Sequence, residues 1–337
     1  MQRQINLKII VSVSILVLII GLIDTAKVKH ETALADDITA EILNDHPRVI
    51  DSSFFQSDTQ APSAPVKVSL APIASPKAIL IPSVQPQAPA DVITADSYLV
   101  ANLATGKVYF SKNADAVWPI ASISKLVTAI VVEKNFDPNE NIAISSSSVT
   151  GYEQTGDVHP NETFSAKDLL TGMLLISSND AALAFANEHN YPAFISLMNQ
   201  TVRSLGMSKT AFEDPSGLSP YNVSSANDLF RLAQHLYADE EPVLAITKMP
   251  SFDLATTTEH GGHDFINIDP FPYDPHYIGG KTGRSGPAGE TMLSLFNLPI
   301  NGIDNPIAII VLHSDQDSRQ TDSSILVGKV LNMISSQ

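Results

Sequence analysis

Residues 118–134 read Trp118-Pro-Ile-Ala-Ser-Ile-Ser-Lys-Leu-Val-Thr-Ala-Ile-Val-Val-Glu-Lys134. Nearly every side chain after the first turn is apolar, which predicts a helix from Ser122 to Lys134 buried on most sides. Positions i and i+3 of a helix share a face, so this helix sets Lys125 beside Ser122. A serine hydroxyl is inert at neutral pH without a base. Desolvation among these hydrophobes disfavours an ammonium and lowers the lysine pKa from its free value of ~10.4, which makes Lys125 a plausible base. Near the helix start, Ser122 has its backbone N–H unpaired, ready to serve as half of an oxyanion hole.

Two later motifs supply what this pair lacks. Asp168 to Ile176 has the pattern of a second apolar helix, and Ser177-Ser178-Asn179 sits where it ends. Ser177 can pass a proton between Ser122 and a leaving amine, and Asn179 can orient Lys125 and a substrate amide. Lys281-Thr282-Gly283 offers a cation and a hydroxyl to a substrate carboxylate. Its glycine would let substrate approach a strand backbone closely. Each motif is weak alone, since Ser-x-Asn also occurs at Ser111 to Asn113 and at Ser225 to Asn227. Their order and setting carry the signal.

Outward from these motifs, Tyr98 to Leu103, Thr105-Gly106 and Lys107 to Ser111 read as a β-hairpin. Phe194 to Leu205 and Ala226 to Leu236 have helical spacing. Thr291 to Leu298 and Pro306 to His313 read as strands joined by an Asn/Asp/Gly turn, and Ser323 to Ile334 as a closing helix. Strands at both ends with helices between them imply an α/β layered domain, its antiparallel sheet assembled from distant segments.

Trp118 to Ala129 closely resembles the active-site segment of the D-alanyl-D-alanine carboxypeptidases, the low-molecular-mass penicillin-binding proteins. So do Asp168 to Ala182, the segment from Leu205-Gly-Met to Asp214-Pro-Ser-Gly-Leu218, and Gly279-Gly-Lys-Thr-Gly283. The resemblance covers about residues 95 to 334. It implies a β-lactamase/transpeptidase-like fold, an antiparallel sheet flanked by helices plus a helical subdomain. It also implies peptidoglycan stem peptides as substrate and acylation by penicillin and other β-lactam antibiotics. No cofactor or metal is called for. By the resemblance Ser122 is the nucleophile, Lys125 the base, Ser177 and Asn179 the second element, and Lys281 with Thr282 the carboxylate site. The backbone N–H of Arg284 completes the oxyanion hole. Two stretches depart from the family: Arg284-Ser285-Gly286-Pro287 replaces the usual threonine two residues after the third motif, and Phe265 to Tyr273 is rich in Pro and Asp where an Asn-rich segment is expected.

The first 92 of 337 residues contain little that could build a core. Ile9 to Ile23 is an uncharged run behind Arg3 and Lys8. Fifteen residues is short of the ~20 of a membrane span, although snorkelling can extend it. Residues 1–30 are therefore either an uncleaved membrane anchor or a cleaved signal peptide, and both place the rest outside the cytoplasm. The anchor is the favoured reading, because Asp24, Lys27 and Lys29 follow at once and Ala33-Leu34-Ala35 lies far off. Because the sequence stops before the extra β-domain and C-terminal amphipathic anchor of many relatives, the N-terminal segment is expected to do the anchoring. Seven prolines between Ala61 and Ala90 favour extended conformations, so residues 31–92 read as a disordered stalk. Residues 93–337 are the expected catalytic domain. They carry 13 basic against 27 acidic residues, which argues against nucleic acid as a partner.

His260-Gly-Gly-His263-Asp264 with His276 has the residue types of a zinc site, but its glycines and neighbouring prolines read as a flexible, solvated loop. A class A β-lactamase is the rival enzyme, and it needs a glutamate to activate deacylating water. Glu-x-x-Leu occurs at Glu241 to Leu244 and Glu290 to Leu293, without the asparagine that follows in that family. A non-catalytic wall-binding module would be expected to have lost Ser122 or Lys125.

Overall fold

A computed structural model of the chain describes residues 92–149, 158–300 and 302–335. The anchor or signal segment, and the stalk apart from Val92, lie outside these residues. The predicted hairpin forms as β1 (Ser97–Asn102) and β2 (Val108–Lys112), turning through Gly106 at φ +72°. Next come β3 (Trp118–Pro119), a 3-10 turn over Ala121–Ile123, and α1 (Ser124–Asn135). Paired strands β4 (Asn141–Ala143) and β5 (Thr163–Ser165) lead into α2 (Ala166–Leu175), α3 (Asn179–His189) and α4 (Tyr191–Ser204). Strand β6 (Val223–Ser224) pairs with β3 and precedes α5 (Ala226–Asp239) and α6 (Glu241–Lys248). A hairpin of β7 (Ser251–Leu254) and β8 (His263–Ile266) follows. The chain then runs through β9 (Tyr277–Ser285), β10 (Gly289–Ile300), β11 (Ile303–Ser314) and α7 (Arg319–Ser335).

The main sheet has the order β2-β1-β11-β10-β9, antiparallel throughout. Early β1 pairs with late β11, Leu99 opposite Ile310, as the sequence implied. The apolar run Ile307 to Leu312 is continuous because both faces of β11 are covered. Ala308, Ile310 and Leu312 join the larger core shared with the helices, whereas Ile307, Ile309 and Val311 pack with Leu326 and Val330 of α7. Side chains alternate between the two faces with the period of the strand. Helices α1 to α4 pack on one another as a helical subdomain. Serine side chains start three helices: Ser165 accepts from Asp168 N, Ser178 from Ala181 N and Ser225 from Asp228 N.

The short strands β3 to β8 escape the periodicity reading, and so do three longer features. Helix α3 follows α2 with no Gly or Pro between them; the chain bends at Ser177, which takes φ +60°. Helix α6 has only eight residues, too few for a clear pattern. The third motif lies in β9, whose glycines weaken any strand signal. At Gly280 a Cβ would fall 2.2 Å from Leu293 O, so the close approach of β9 to β10 requires that residue to lack a side chain.

Candidate active site

Ser122 lies in the middle of the 3-10 turn and not in α1 itself, while Lys125 is in the first turn of α1. The i, i+3 relation survives this adjustment: Lys125 Nζ is 3.0 Å from Ser122 Oγ. Nζ also donates to Asn179 Oδ1 (2.7 Å) and to the carbonyl of Ser216 (2.7 Å). Lys125 is fully buried, and desolvation pushes its pKa well below the ordinary lysine value, with Lys281 adding to that and Asp214 opposing it. A neutral amine fits these partners: it donates twice, to Asn179 and Ser216, and keeps a lone pair for the Ser122 hydroxyl proton.

The turn that presents Ser122 is strained and tightly braced. Ala121 takes φ +47°, a region few non-glycine residues adopt, and such strain gathers at functional sites. Asn222 Nδ2 donates to Ser124 Oγ, Ser124 Oγ donates to Ala121 O, and Thr291 Oγ1 of β10 donates to Ile120 O. Gly217, at φ +91°, lies so close that a Cβ would fall 2.0 Å from Ala121 O. Gly283 of β9 meets the same turn, its missing Cβ 2.8 Å from Ile120 O and 3.0 Å from Ser122 N. The glycine of the third motif thus admits the protein's own backbone, and it also lines the cleft.

Ser122, Ser177, Asn179, Thr282, Gly283 and Arg284 line one cleft of about 540 Å3. Ser177 is reached through the left-handed bend between α2 and α3, and Asn179 is the first residue of α3. Lys281 is not part of the lining. It is buried beneath, with Nζ donating to Thr282 O at 3.1 Å, and burial lowers its pKa to about 7.

Sequence reasoning missed two contributors. The Asp214 carboxylate gathers the N–H groups of Ser216, Gly217 and Ser219, shaping the loop whose Ser216 carbonyl holds Lys125. Its signal was the turn-forming Asp214-Pro-Ser-Gly-Leu218, quoted above only as a resemblance. Arg319, at the start of α7, lines the cleft and donates to Gly283 O at 3.0 Å. Nothing in the sequence marks that lone arginine.

The histidine reading needs correction. His263 is buried in β8, with Nε2 3.1 Å from Glu162 Oε1 and its ring stacked on Phe265, so it is no part of a solvated loop. His260 stacks on Phe164. Among the described residues, no group of three or more His, Cys, Asp or Glu is placed to hold a metal ion. Trp118 is half-buried and stacks on His313 at 4.5 Å.

The family model for peptidase S11, D-alanyl-D-alanine carboxypeptidase, matches residues 83–298. The chain belongs to this family. It is a hydrolase of the serine DD-peptidase type. The S11 peptidase is 33% identical over 235 residues to a D-alanyl-D-alanine endopeptidase of Escherichia coli K12, a match spanning 65% of this chain and 71% of that protein. It is 42% identical over 150 residues to a D-alanyl-D-alanine endopeptidase of Pseudomonas aeruginosa PAO1, spanning 42% of this chain and 46% of that one. The chain thus spans about half the length of that second relative. Among solved structures it resembles a D-alanyl-D-alanine carboxypeptidase of Mycobacterium tuberculosis H37Rv, with TM-score 0.63 and 26% identity over 70% of this chain and 90% of that one. It also resembles Listeria monocytogenes penicillin-binding protein D2 in its ampicillin-bound form, with TM-score 0.58 and 28% identity over 70% and 97% of the two chains. The fold is therefore the penicillin-binding protein fold that the motifs implied.

Proposed function

We propose that this S11 peptidase cleaves the D-Ala-D-Ala end of peptidoglycan stem peptides through an acyl-enzyme on Ser122. The observation that carries the assignment is the Lys125 amine, fully buried and 3.0 Å from Ser122 Oγ. Neutral Lys125 takes the hydroxyl proton as Oγ attacks the penultimate D-Ala carbonyl. The backbone N–H groups of Ser122 and Arg284 receive the oxyanion. Ser177 passes the proton to the leaving amine, D-alanine departs, and water then attacks the ester with Lys125 and Ser177 relaying its proton. Asn179 holds Lys125 and the substrate amide. The terminal carboxylate meets Thr282 and Arg319 over the Lys281 ammonium, a cationic pocket in an otherwise acidic protein.

The endopeptidase names of the E. coli and P. aeruginosa relatives extend the substrate class to cross-linked peptides, in which the leaving amine belongs to a second stem. The β-lactamase alternative is disfavoured, because among the described residues that line the cleft there is no glutamate. Glu241 is exposed on α6, and Glu290 is buried on β10 near Arg284 and Arg319. The work site is outside the cytoplasm, on the wall. Residues 1–30 tether the enzyme to the membrane's outer face in this reading; among the described residues no helix is long and apolar enough to cross a membrane.

Penicillin is expected to leave a covalent penicilloyl group on Ser122. Peptide mapping of the labelled protein tests this, and an adduct on Ser124 or Ser177 would overturn the assignment.

A further inference from the structure

One of the two stretches that depart from the family pattern, Arg284-Ser285-Gly286-Pro287, begins in the last two residues of β9. Strand β9 is the outermost strand of the main sheet, where an extended peptide can be laid alongside. In the proposed reaction the substrate carboxylate meets Thr282 and Arg319, and the scissile carbonyl meets the Arg284 N–H. The acyl half of the substrate therefore runs on toward Ser285 and Gly286. A second hollow, of about 360 Å3, opens there. It shares Arg284, Ser285 and Gly286 with the cleft and is completed by Gly289, Glu290 and Gln316. Nothing lies within 4 Å of where a Gly286 Cβ would be, so the hollow is open on that side. Among the described residues that line it, Arg284 is the only cation.

The Arg284 side chain is more than half exposed and pairs with Glu290 across β9 and β10. Its Nη1 is 3.8 Å from Glu290 Oε1 and 3.6 Å from Asp317 Oδ1. These two carboxylates differ. Glu290 is buried and shared with a second arginine, its Oε2 4.0 Å from Arg319 Nε and accepting from Arg319 N at 3.4 Å. Asp317 is largely exposed, so its contact with Arg284 is a surface ion pair of small net worth. We propose that Arg284 is a specificity-determining residue: steadied by buried Glu290, its guanidinium receives a carboxylate carried by the acyl half of the substrate, beyond the penultimate D-Ala. The incoming carboxylate displaces Asp317, exchanging one exposed ion pair for another at little cost. The planar fork of arginine suits a carboxylate in two-point contact. An ammonium in the same place would meet the Arg284 charge, with Glu290 already shared between two guanidinium groups.

The inference rests on the proposed acyl-enzyme at Ser122 and on the direction this gives the substrate. It is tested on the full chain with two penicillins: carbenicillin, whose acyl side chain bears a carboxylate, and benzylpenicillin, which lacks that group and is otherwise the same. Acylation by each is measured in the unaltered protein, Arg284→Gln and Asp317→Asn. Any disturbance of the oxyanion N–H is common to both penicillins and cancels in the ratio of their second-order rate constants. Arg284→Gln should lower the carbenicillin-to-benzylpenicillin ratio about fivefold, the scale of one exposed charge pair, and Asp317→Asn should raise it. Stem pentapeptides whose third residue ends in a free carboxylate or in a carboxamide provide the second readout. The unaltered protein should release D-Ala from the carboxylate form with the lower KM, and Arg284→Gln should lose that preference. A ratio that Arg284→Gln leaves unchanged, or a preference of the unaltered protein for the carboxamide, would overturn the proposal. Should Arg284→Gln not fold, a fall of the ratio in Asp317→Asn would overturn it equally. If neither penicillin labelled the unaltered protein at Ser122, the peptidase reading would fall instead.

Discussion

Ser122→Ala is expected to leave a folded protein that takes up no labelled penicillin and releases D-alanine at least ~10^4-fold more slowly, the scale of loss when a catalytic nucleophile is removed. The fold should survive, because the substitution removes one half-buried hydroxyl whose described partner is Lys125. The bracing around the turn runs instead through Ser124, Asn222 and Thr291. Residual activity should be very small, since the oxyanion donors and the carboxylate pocket stabilise a transition state only once a nucleophile has attacked. Retained labelling, with the unfolding temperature unchanged, would mean that another serine of this Ser-rich segment is acylated.

Lys125→Ala should slow acylation by at least ~100-fold, the usual contribution of a positioned general base. It also leaves Asn179 Oδ1 and the Ser216 carbonyl without their ammonium or amine partner in a buried site, so some loss of stability is expected alongside. Lys125→Arg should fail equally, because a guanidinium does not give up its proton and is too large for a fully buried slot. The pH dependence has a definite sign. Burial holds the Lys125 pKa well below the ordinary lysine value, with the Lys281 charge adding to that. The amine is therefore the active form, and acylation should decline as pH falls through that lowered pKa and the base becomes protonated. Stopped-flow labelling across pH measures both the rate loss and the acid limb. A variant that kept the acid limb would place the base elsewhere.

How much of this was legible in the sequence depended on the range of the interactions. The Ser122 and Lys125 pairing is local, so a helical reading placed the two groups together even though Ser122 proved to sit in a 3-10 turn. The alternation of Ile307 to Leu312 between two cores could be assigned to a strand because both faces are apolar. Helix α3 was hidden because the break that separates it from α2 is made at a left-handed serine, Ser177, and not at a glycine or proline. Gly283 was read as a point of close approach, but one neighbour it accommodates could not be read: the backbone of Ile120 to Ser122 lies more than 160 residues away in sequence. Arg319 was invisible as a site residue for the same cause: it is a single charge whose meaning comes from strands packed against it over long sequence distances.

The reading of this chain as a peptidase, and not a β-lactamase, turns on what happens to the ester once it forms. Among the described residues that line the cleft there is no glutamate to activate water against a bulky penicilloyl group, and that adduct should persist. After D-alanine leaves, water can enter the space it vacated, with Lys125 and Ser177 ready to relay the proton. The decisive measurement follows D-Ala release from a stem pentapeptide and penicillin hydrolysis on the same preparation. The expected result is measurable D-Ala release beside very slow penicillin turnover; rapid multiple-turnover hydrolysis of penicillin with no D-Ala release would contradict it.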